Sequence, residues 1–143
     1  MYFPPVTLDQ LIAAFGRVDE VYFYTQSHRL GELRVVDHWT NHHGARYIIG
    51  VHLRQSVTDQ MHSMAHEAVH IATQIMSAEP YKLDPVHQAI DDEAKRLLKE
   101  QRAYLAEQYE RWRYFQFGLK PEQQVLFSPQ LVLPYGESIA ENL

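Results

Sequence analysis

The sequence predicts a single α+β domain in which a small sheet packs against helices. Three short segments rich in aromatic and β-branched residues, all between residues 21 and 53, have the composition of strands. Apolar residues then recur with helical spacing from residue 56 to about 77, and again over a longer segment that begins at residue 84. We therefore expect a few-stranded, mostly antiparallel sheet packed on a central helix and on the long helix after it.

The length and composition fit one domain over residues 1–143. The hydrophobic fraction is 45%, and a chain of 143 residues buries a sizeable core. No run of about 18 apolar residues occurs, so we expect no membrane-spanning helix and no membrane partner. Residues 1–5 lack the basic and apolar regions of a signal peptide, and we expect a cytoplasmic protein.

The absence of cysteine and the net charge narrow the possible functions. Without cysteine the chain has no disulfide, and a zinc site in it has to use histidine and carboxylate ligands. The net charge of −5 argues against broad electrostatic binding, so a nucleic-acid partner is possible but not supported by the charge. The basic residues available for a local patch are Lys95, Arg96, Lys99, Arg102, Arg111 and Arg113.

A helix, three strands and a turn are predicted before the central helix. The elements are a helix over residues 7–16, strands over 21–24, 32–38 and 46–53, and a turn near 27–31. Thr7 can cap the helix, and Gly16 can end it. The polar segment 38–44 contains three histidines, which we interpret as solvated loop residues rather than metal ligands.

Two helices are predicted after the last strand. The central helix begins after Ser56, with Asp59 three residues later as an approximate capping box. The long helix has a strong start signal, because Asp84 is an N-cap residue and Pro85 occupies the first helical position. Its expected buried positions are Val86, Ile90, Ala94, Leu97, Leu98, Leu105 and Trp112. Its charged pairs four residues apart, interpreted as facing solvent, are Asp91/Lys95, Asp92/Arg96 and Glu107/Arg111. From about residue 118 an irregular tail is expected.

The central helix contains an H-E-x-x-H motif at residues 66–70. His66 and His70 are one helical turn apart, so both imidazoles project from the same face and can reach one zinc ion at about 2.0–2.1 Å. Glu67 points about 100° away around the helix axis, where it can act on a water molecule at the metal rather than bind the metal. The surrounding residues are small and apolar, which predicts a buried helix. The alternative is that two histidines and a glutamate lie on an ordinary helix without a metal.

A catalytic zinc site needs a third protein ligand and one open position. The next helix offers His87 and Glu93, which lie about 60° to either side of the expected buried residue Ile90, so periodicity leaves both open. His87 is in the first turn, whereas Glu93 belongs to an acidic run that a solvated face also explains. His62 lies one turn before His66 but about 12 Å from His70, so we expect it to pack or to support a ligand rather than to bind the metal.

The segment from residue 44 to about 98 resembles the SprT-like metallopeptidase domain. The resemblance rests on Arg46-Tyr47-Ile48-Ile49-Gly50-Val51, on the H-E-x-x-H helix and on Pro85-Val86-His87. It implies a small zincin-like fold with zinc ligands His66, His70 and His87, and with Glu67 as general base. The chain departs from the family pattern at Gln88 and Asp91, where Gly or Asn and an aromatic residue are usual. It also lacks the cysteine-rich zinc ribbon of many members.

The predicted function is that of a zinc-dependent metallopeptidase. A zinc-activated water would attack a peptide carbonyl, with Glu67 as general base. The substrate would be a protein or peptide, and we expect an extended segment of it to pair with an edge strand at residues 46–53 beside the cleft. An electrophilic Tyr or His is also expected, but the sequence does not select one among nine tyrosines. The alternative is a non-catalytic zincin-like module that binds or regulates proteins, although a structural zinc site has no need of Glu67.

Overall fold

The computed structural model describes residues 2–26, 29–37, 45–76 and 84–118. Over these residues the chain forms four helices and a three-stranded sheet, which confirms the predicted α+β class. In chain order the elements are α1 (Leu8–Phe15), β1 (Val18–Tyr24), β2 (Gly31–Asp37), β3 (Arg46–His52), α2 (Val57–Thr73), α3 (Pro85–Glu100) and α4 (Arg102–Phe117). Part of the predicted turn near 27–31, the histidine-containing segment 38–44, the connection at 77–83 and the predicted tail from residue 119 onward lie outside the described residues.

The sheet has the strand order β1-β3-β2. β3 pairs in parallel with β1 and in an antiparallel way with β2, so the sheet is mixed rather than mostly antiparallel. This arrangement arises because β2 reverses the direction of β1 and β3 reverses it again, after which β3 inserts between the two earlier strands. The expectation of an edge strand at residues 46–53 was therefore wrong. β3 is the central strand, and β2 is the edge strand next to α2.

The predicted helix starts are confirmed by their capping hydrogen bonds. The Thr7 hydroxyl accepts from the backbone N–H of Gln10, whose side chain accepts from Thr7 in return. At the start of α2 the Ser56 hydroxyl accepts from the backbone N–H three residues later, at 3.1 Å. At the start of α3 the Asp84 carboxylate accepts from the Val86 N–H at 2.9 Å, and Pro85 is the first helical residue. Such side-chain caps satisfy N–H groups that have no partner inside the helix.

Two helix ends differ from the expectation. α2 ends at Thr73 instead of running to about residue 77, because Gln74 adopts a left-handed conformation with φ of 60°. The expected long helix is interrupted at Gln101, where φ is −121° and ψ is 36°, so two helices replace it. No proline or glycine marks this position. The break lets α3 pack along α2 while α4 turns toward β1.

The core lies around α2, which contacts β2, β3 and each of the other three helices. The predicted burial of this helix is confirmed, since nine of its residues are buried. The largest fully buried side chains of the described chain are Leu11, Ile49, Met64, Ile71, Ile90, Leu97, Leu105, Val21, Val51 and Val69. Across the described ranges, none of the helices combines the length and the hydropathy that crossing a bilayer requires.

Replacement of Leu97 tests this core. Leu97→Ala should lower the free energy of unfolding by about 2–5 kcal/mol, because the side chain is 0% exposed and its loss leaves a cavity. Phe115→Ala is the control, since this side chain is 71% exposed and its removal should change stability by less than about 0.5 kcal/mol. Urea unfolding followed by circular dichroism measures both. Equal losses in the two variants would contradict the buried position of Leu97.

Candidate metal centre

The H-E-x-x-H segment lies in the middle of α2, where the helix is packed on most sides. His66 and His70 project from the same face, as their spacing predicts, and their ring centroids are 5.0 Å apart. The two Nε2 atoms face each other at 3.2 Å. His70 is buried and His66 is half-buried, so the pair is largely withdrawn from bulk solvent.

The first turn of α3 brings His87 to the same place. Its ring centroid lies 4.9 Å from that of His66 and 5.6 Å from that of His70. One ring nitrogen of each histidine belongs to a set of three atoms that all lie within 4.8 Å of one another. The Nδ1 atom of His87 is buried and forms no hydrogen bond within the described residues. The structure therefore assembles the three histidines named by the sequence and the resemblance into one cluster.

The other ring nitrogens of the α2 histidines are anchored. His70 Nδ1 lies 2.7 Å from the backbone oxygen of Ile75, and His66 Nδ1 lies 3.0 Å from the carboxylate of Asp91. A carbonyl oxygen and an ionised carboxylate only accept hydrogen bonds, so both Nδ1 atoms carry the proton and donate. In the neutral imidazoles the Nε2 atoms are then left with free lone pairs.

Protonation of His66 or His70 does not place a hydrogen bond between the two Nε2 atoms. Burial, followed by the nearby His70, lowers the pKa of His66 to about 4, although Asp91 opposes the shift. Burial also lowers the pKa of His70, against the opposing hydrogen bond to Ile75. Both rings are therefore neutral at pH 7, and two acceptor atoms face each other with no proton between them.

A metal ion fits this arrangement. Two nitrogens bound to one tetrahedral zinc ion at about 2.0–2.1 Å lie roughly 3.3 Å apart, so the observed 3.2 Å separation needs almost no adjustment. A cation between the Nε2 atoms of His66 and His70 would also remove the repulsion between their lone pairs. His87 completes a set of three nitrogen donors. Catalytic zinc sites have three protein ligands, and all three can be histidines.

Glu67 points from α2 toward the start of β2. A Cβ atom on Gly31 would lie 3.3 Å from Glu67 Oε2 and 3.3 Å from the Cβ of Ser63, so the glycine leaves the space that the carboxylate occupies. Burial, and then the charge of Glu32, raise the pKa of Glu67 to about 8, with Arg29 acting in the opposite direction. Within the described part of the chain no hydrogen bond to this carboxylate is formed.

The three histidines and Glu67 line one cleft with a volume of about 850 Å³. Residues 29–33, which lead into and form the start of β2, line another wall, and Met76 after α2 also contributes. The remaining lining residues are Gln55, Asp59, His62, Ser63 and Asp91. The strand that borders the cleft is thus β2 and not β3. Among the described residues no tyrosine lines the cleft, and Tyr81 and Tyr135 lie outside them. His62 is a further histidine of the lining, so the prediction of an electrophilic Tyr or His stays open.

Glu93, the other candidate for the third ligand, is engaged elsewhere. Its carboxylate accepts from the backbone N–H of Val6 at 2.6 Å and from the Arg96 guanidinium at 2.5 Å. Although burial alone would raise it, the pKa of Glu93 is lowered by these hydrogen bonds and by the charge of Arg96. Glu93 is therefore an ionised group that ties α3 to the N-terminal segment. The geometry favours His87.

Asp91 is the site residue that sequence reasoning missed. Its spacing from Lys95 predicts a solvent-facing ion pair, and Lys95 Nζ does lie 3.4 Å from its Oδ2. Its Oδ1, however, lies 3.0 Å from His66 Nδ1 and 3.2 Å from His62 Nε2, the latter outside hydrogen-bond geometry. The available signal was spacing, since Asp91 is one helical turn after His87 and shares its face of α3.

No protein-family model, no curated protein and no solved structure matches this chain.

Single substitutions distinguish the two candidates for the third ligand. His87→Ala should weaken zinc binding by more than the about 10–100-fold that is typical when a residue supporting a ligand is lost. Glu93→Ala should leave zinc affinity close to that of the wild type, while lowering stability because Val6 and Arg96 lose their acceptor. Competition titration against a chromophoric chelator measures the affinities. The reverse order of effects would transfer the ligand role to Glu93.

Proposed function

We propose that this protein is a zinc-dependent metallopeptidase in which His66, His70 and His87 hold the ion and Glu67 is the general base. The observation that carries the proposal is the pair of Nε2 atoms from His66 and His70, held 3.2 Å apart with their lone pairs toward each other. A peptidase of the SprT-like kind is the class with which the order of these residues agrees, because the third histidine opens the helix that follows the H-E-x-x-H helix.

The donor set supports zinc over other common ions. Three imidazole ligands suit zinc and other late divalent metals, whereas Mg²⁺ and Ca²⁺ prefer oxygen ligands. Among the described residues the cluster contains three histidines and no fourth ligand, and it faces the cleft. A closed structural site uses four protein ligands, so an open position argues for catalysis rather than for a purely structural ion.

Glu67 has the position and the environment expected of a base. Zinc in such a site polarises a carbonyl and lowers the pKa of water to about 7. Glu67 shares the cleft with the histidines, and without a hydrogen bond to hold it within the described residues, its carboxylate is available to take a proton. Burial raises its pKa, and a divalent cation nearby would act in the opposite direction and favour the ionised form.

The substrate in this proposal is a polypeptide bound in an extended conformation. β2 lies at the edge of the sheet as described and its first residues line the cleft, so a peptide strand can pair with its free side. The same pairing would serve the alternative function, a zincin-like module that binds proteins without cutting them. The two functions differ only in whether Glu67 acts as a general base in peptide hydrolysis.

Metal content is the first test of the proposal. Protein purified without chelator should contain about one zinc ion per chain, because the histidine cluster offers one set of three nitrogen donors. Elemental analysis by mass spectrometry measures it, with the His66→Ala/His70→Ala double variant as the control for adventitious metal. Wild-type protein that holds no transition metal, and takes up none in a zinc titration, would sink the proposal.

Replacement of Glu67 separates the enzyme from the binding module. Glu67→Gln should keep zinc and fold but lower the rate of peptide hydrolysis by about 10²–10⁴-fold, because an amide does not accept the proton. Glu110→Gln, at an exposed glutamate of α4, is the matched control and should retain wild-type activity. Cleavage is measured on a panel of labelled proteins and peptides. If the zinc-loaded wild type cuts nothing and both variants bind polypeptides equally well, the non-catalytic function is the correct one.

A further inference from the structure

We propose that Asp91 is a positioning residue of the zinc site, which acts by fixing the ring of His66. The inference rests on the proposed zinc site and adds a residue that neither the motif nor the resemblance contains. Asp91 does not face the ion in this proposal. It holds the Nδ1 proton of His66, and thereby sets which nitrogen of that ring is free to bind metal.

The contacts of Asp91 carry this inference. α3 presents His87 and, one turn later, Asp91 to the same stretch of α2. Oδ1 of Asp91 lies 3.0 Å from His66 Nδ1, and His62 Nε2 lies 3.2 Å from the same oxygen on the other side. A single carboxylate oxygen thus stands between two histidines of α2 that are one turn apart.

The two α2 ligands are anchored by different kinds of group. The backbone oxygen of Ile75 holds His70, and no side-chain substitution removes it. His66 depends on a side chain, because Asp91 provides the one hydrogen bond to its Nδ1 within the described residues. Without that acceptor the His66 ring loses its preference for the Nδ1–H tautomer, and either nitrogen can face the site.

A surface ion pair with Lys95 does not account for the position of Asp91. The Lys95 side chain is 62% exposed and meets the other carboxylate oxygen, Oδ2, at 3.4 Å. Exposed pairs of this kind contribute little to stability. Oδ1 points inward to the histidines, and the Asp91 side chain is only 26% exposed. The carboxylate is therefore oriented by the site and not by the lysine.

The test compares zinc affinities of folded variants by chelator competition. Asp91→Ala should weaken zinc binding about 10–100-fold, the range found when a hydrogen-bond partner of a metal-binding histidine is removed. Asp92→Ala is the matched control, since Asp92 is the next residue, is exposed and receives a hydrogen bond from the Gln88 side chain. Its zinc affinity should equal that of the wild type. Thermal unfolding of the metal-free proteins establishes that each variant is folded.

Asp91→Asn distinguishes a positioning role from a purely structural one, because a purely structural role would leave zinc affinity unchanged in this variant. The amide oxygen still accepts from His66 but carries no charge, so zinc affinity should fall between that of the wild type and that of Asp91→Ala. Imidazole ¹⁵N spectra of the zinc-loaded proteins should show His66 protonated at Nδ1 in the wild type and in Asp91→Asn, and a mixture of ligating nitrogens in Asp91→Ala. If Asp91→Ala does not fold, the zinc affinity of Asp91→Asn decides: an affinity below that of Asp92→Ala supports the positioning role, and an equal affinity overturns it.

The outcomes separate this inference from the proposed function. Wild-type protein that binds zinc, with Asp91 variants that bind it as tightly as Asp92→Ala and keep one His66 tautomer, would overturn the positioning role and leave the zinc site intact. Wild-type protein that binds no zinc would overturn both. Graded affinities in the order wild type, Asp91→Asn, Asp91→Ala, together with the loss of the single His66 tautomer, would establish the role of Asp91.

Discussion

The geometry of the site depends on one contact, the approach of the Nε2 atoms of His66 and His70 to 3.2 Å with no proton between them. Each atom is an acceptor because the other nitrogen of its ring donates, one to Ile75 and one to Asp91. A buried polar atom without a partner is costly, and two facing acceptors cost more than one. A folded protein keeps such a contact only where something else compensates for it. A cation shared by His66 and His70 is the simplest compensation that the surrounding atoms allow.

The rotation of α3 about its axis determines what meets that pair. The buried residues Ile90, Ala94 and Leu97 face α2 and the core. The residues on the two sides of this apolar stripe contact different parts of the protein. One flank carries His87 to the histidine cluster. The other carries Glu93, which holds the N-terminal segment through Val6. A rotation of about 120° would bring the Glu93 flank to where His87 lies, but it would also expose the apolar stripe, so core packing keeps His87 beside the histidines of α2.

Short sequence patterns predicted the features of the fold that depend only on neighbouring residues, such as the helix starts. The caps at Thr7, Ser56 and Asp84 are short-range hydrogen bonds, so they could be predicted from the residues themselves. The break at Gln101 could not, because no helix-breaking residue marks it and it follows from how two helices pack. The order of the strands was missed for a related reason. Each strand was visible in the sequence, but which strands pair depends on contacts between distant segments.

The same distinction applies to the candidate site. The spacing of His66 and His70 within one helix is a local pattern, and it predicted their common face. His87 needed the packing of a second helix, which periodicity left open and which the structure supplies. The sequence did not indicate a role for Asp91 in the site, because an aspartate four residues before a lysine is typical of a solvent-facing pair. Only the distance to His66 shows its second contact.

The side of α2 that faces β2 brings Glu67 against the first residue of that strand. Gly31 is the first residue of β2, and a Cβ there would lie 3.3 Å from Glu67 Oε2, close enough that the carboxylate or the strand would have to shift. A larger residue at this position would push Glu67 away from the strand or the strand away from the helix. The glycine thus leaves room for the Glu67 carboxylate beside β2, which is an edge strand of the sheet over the described residues. In the proposed function, an extended chain paired with β2 would pass beside this carboxylate, so the pairing would also bring the peptide backbone to the proposed base.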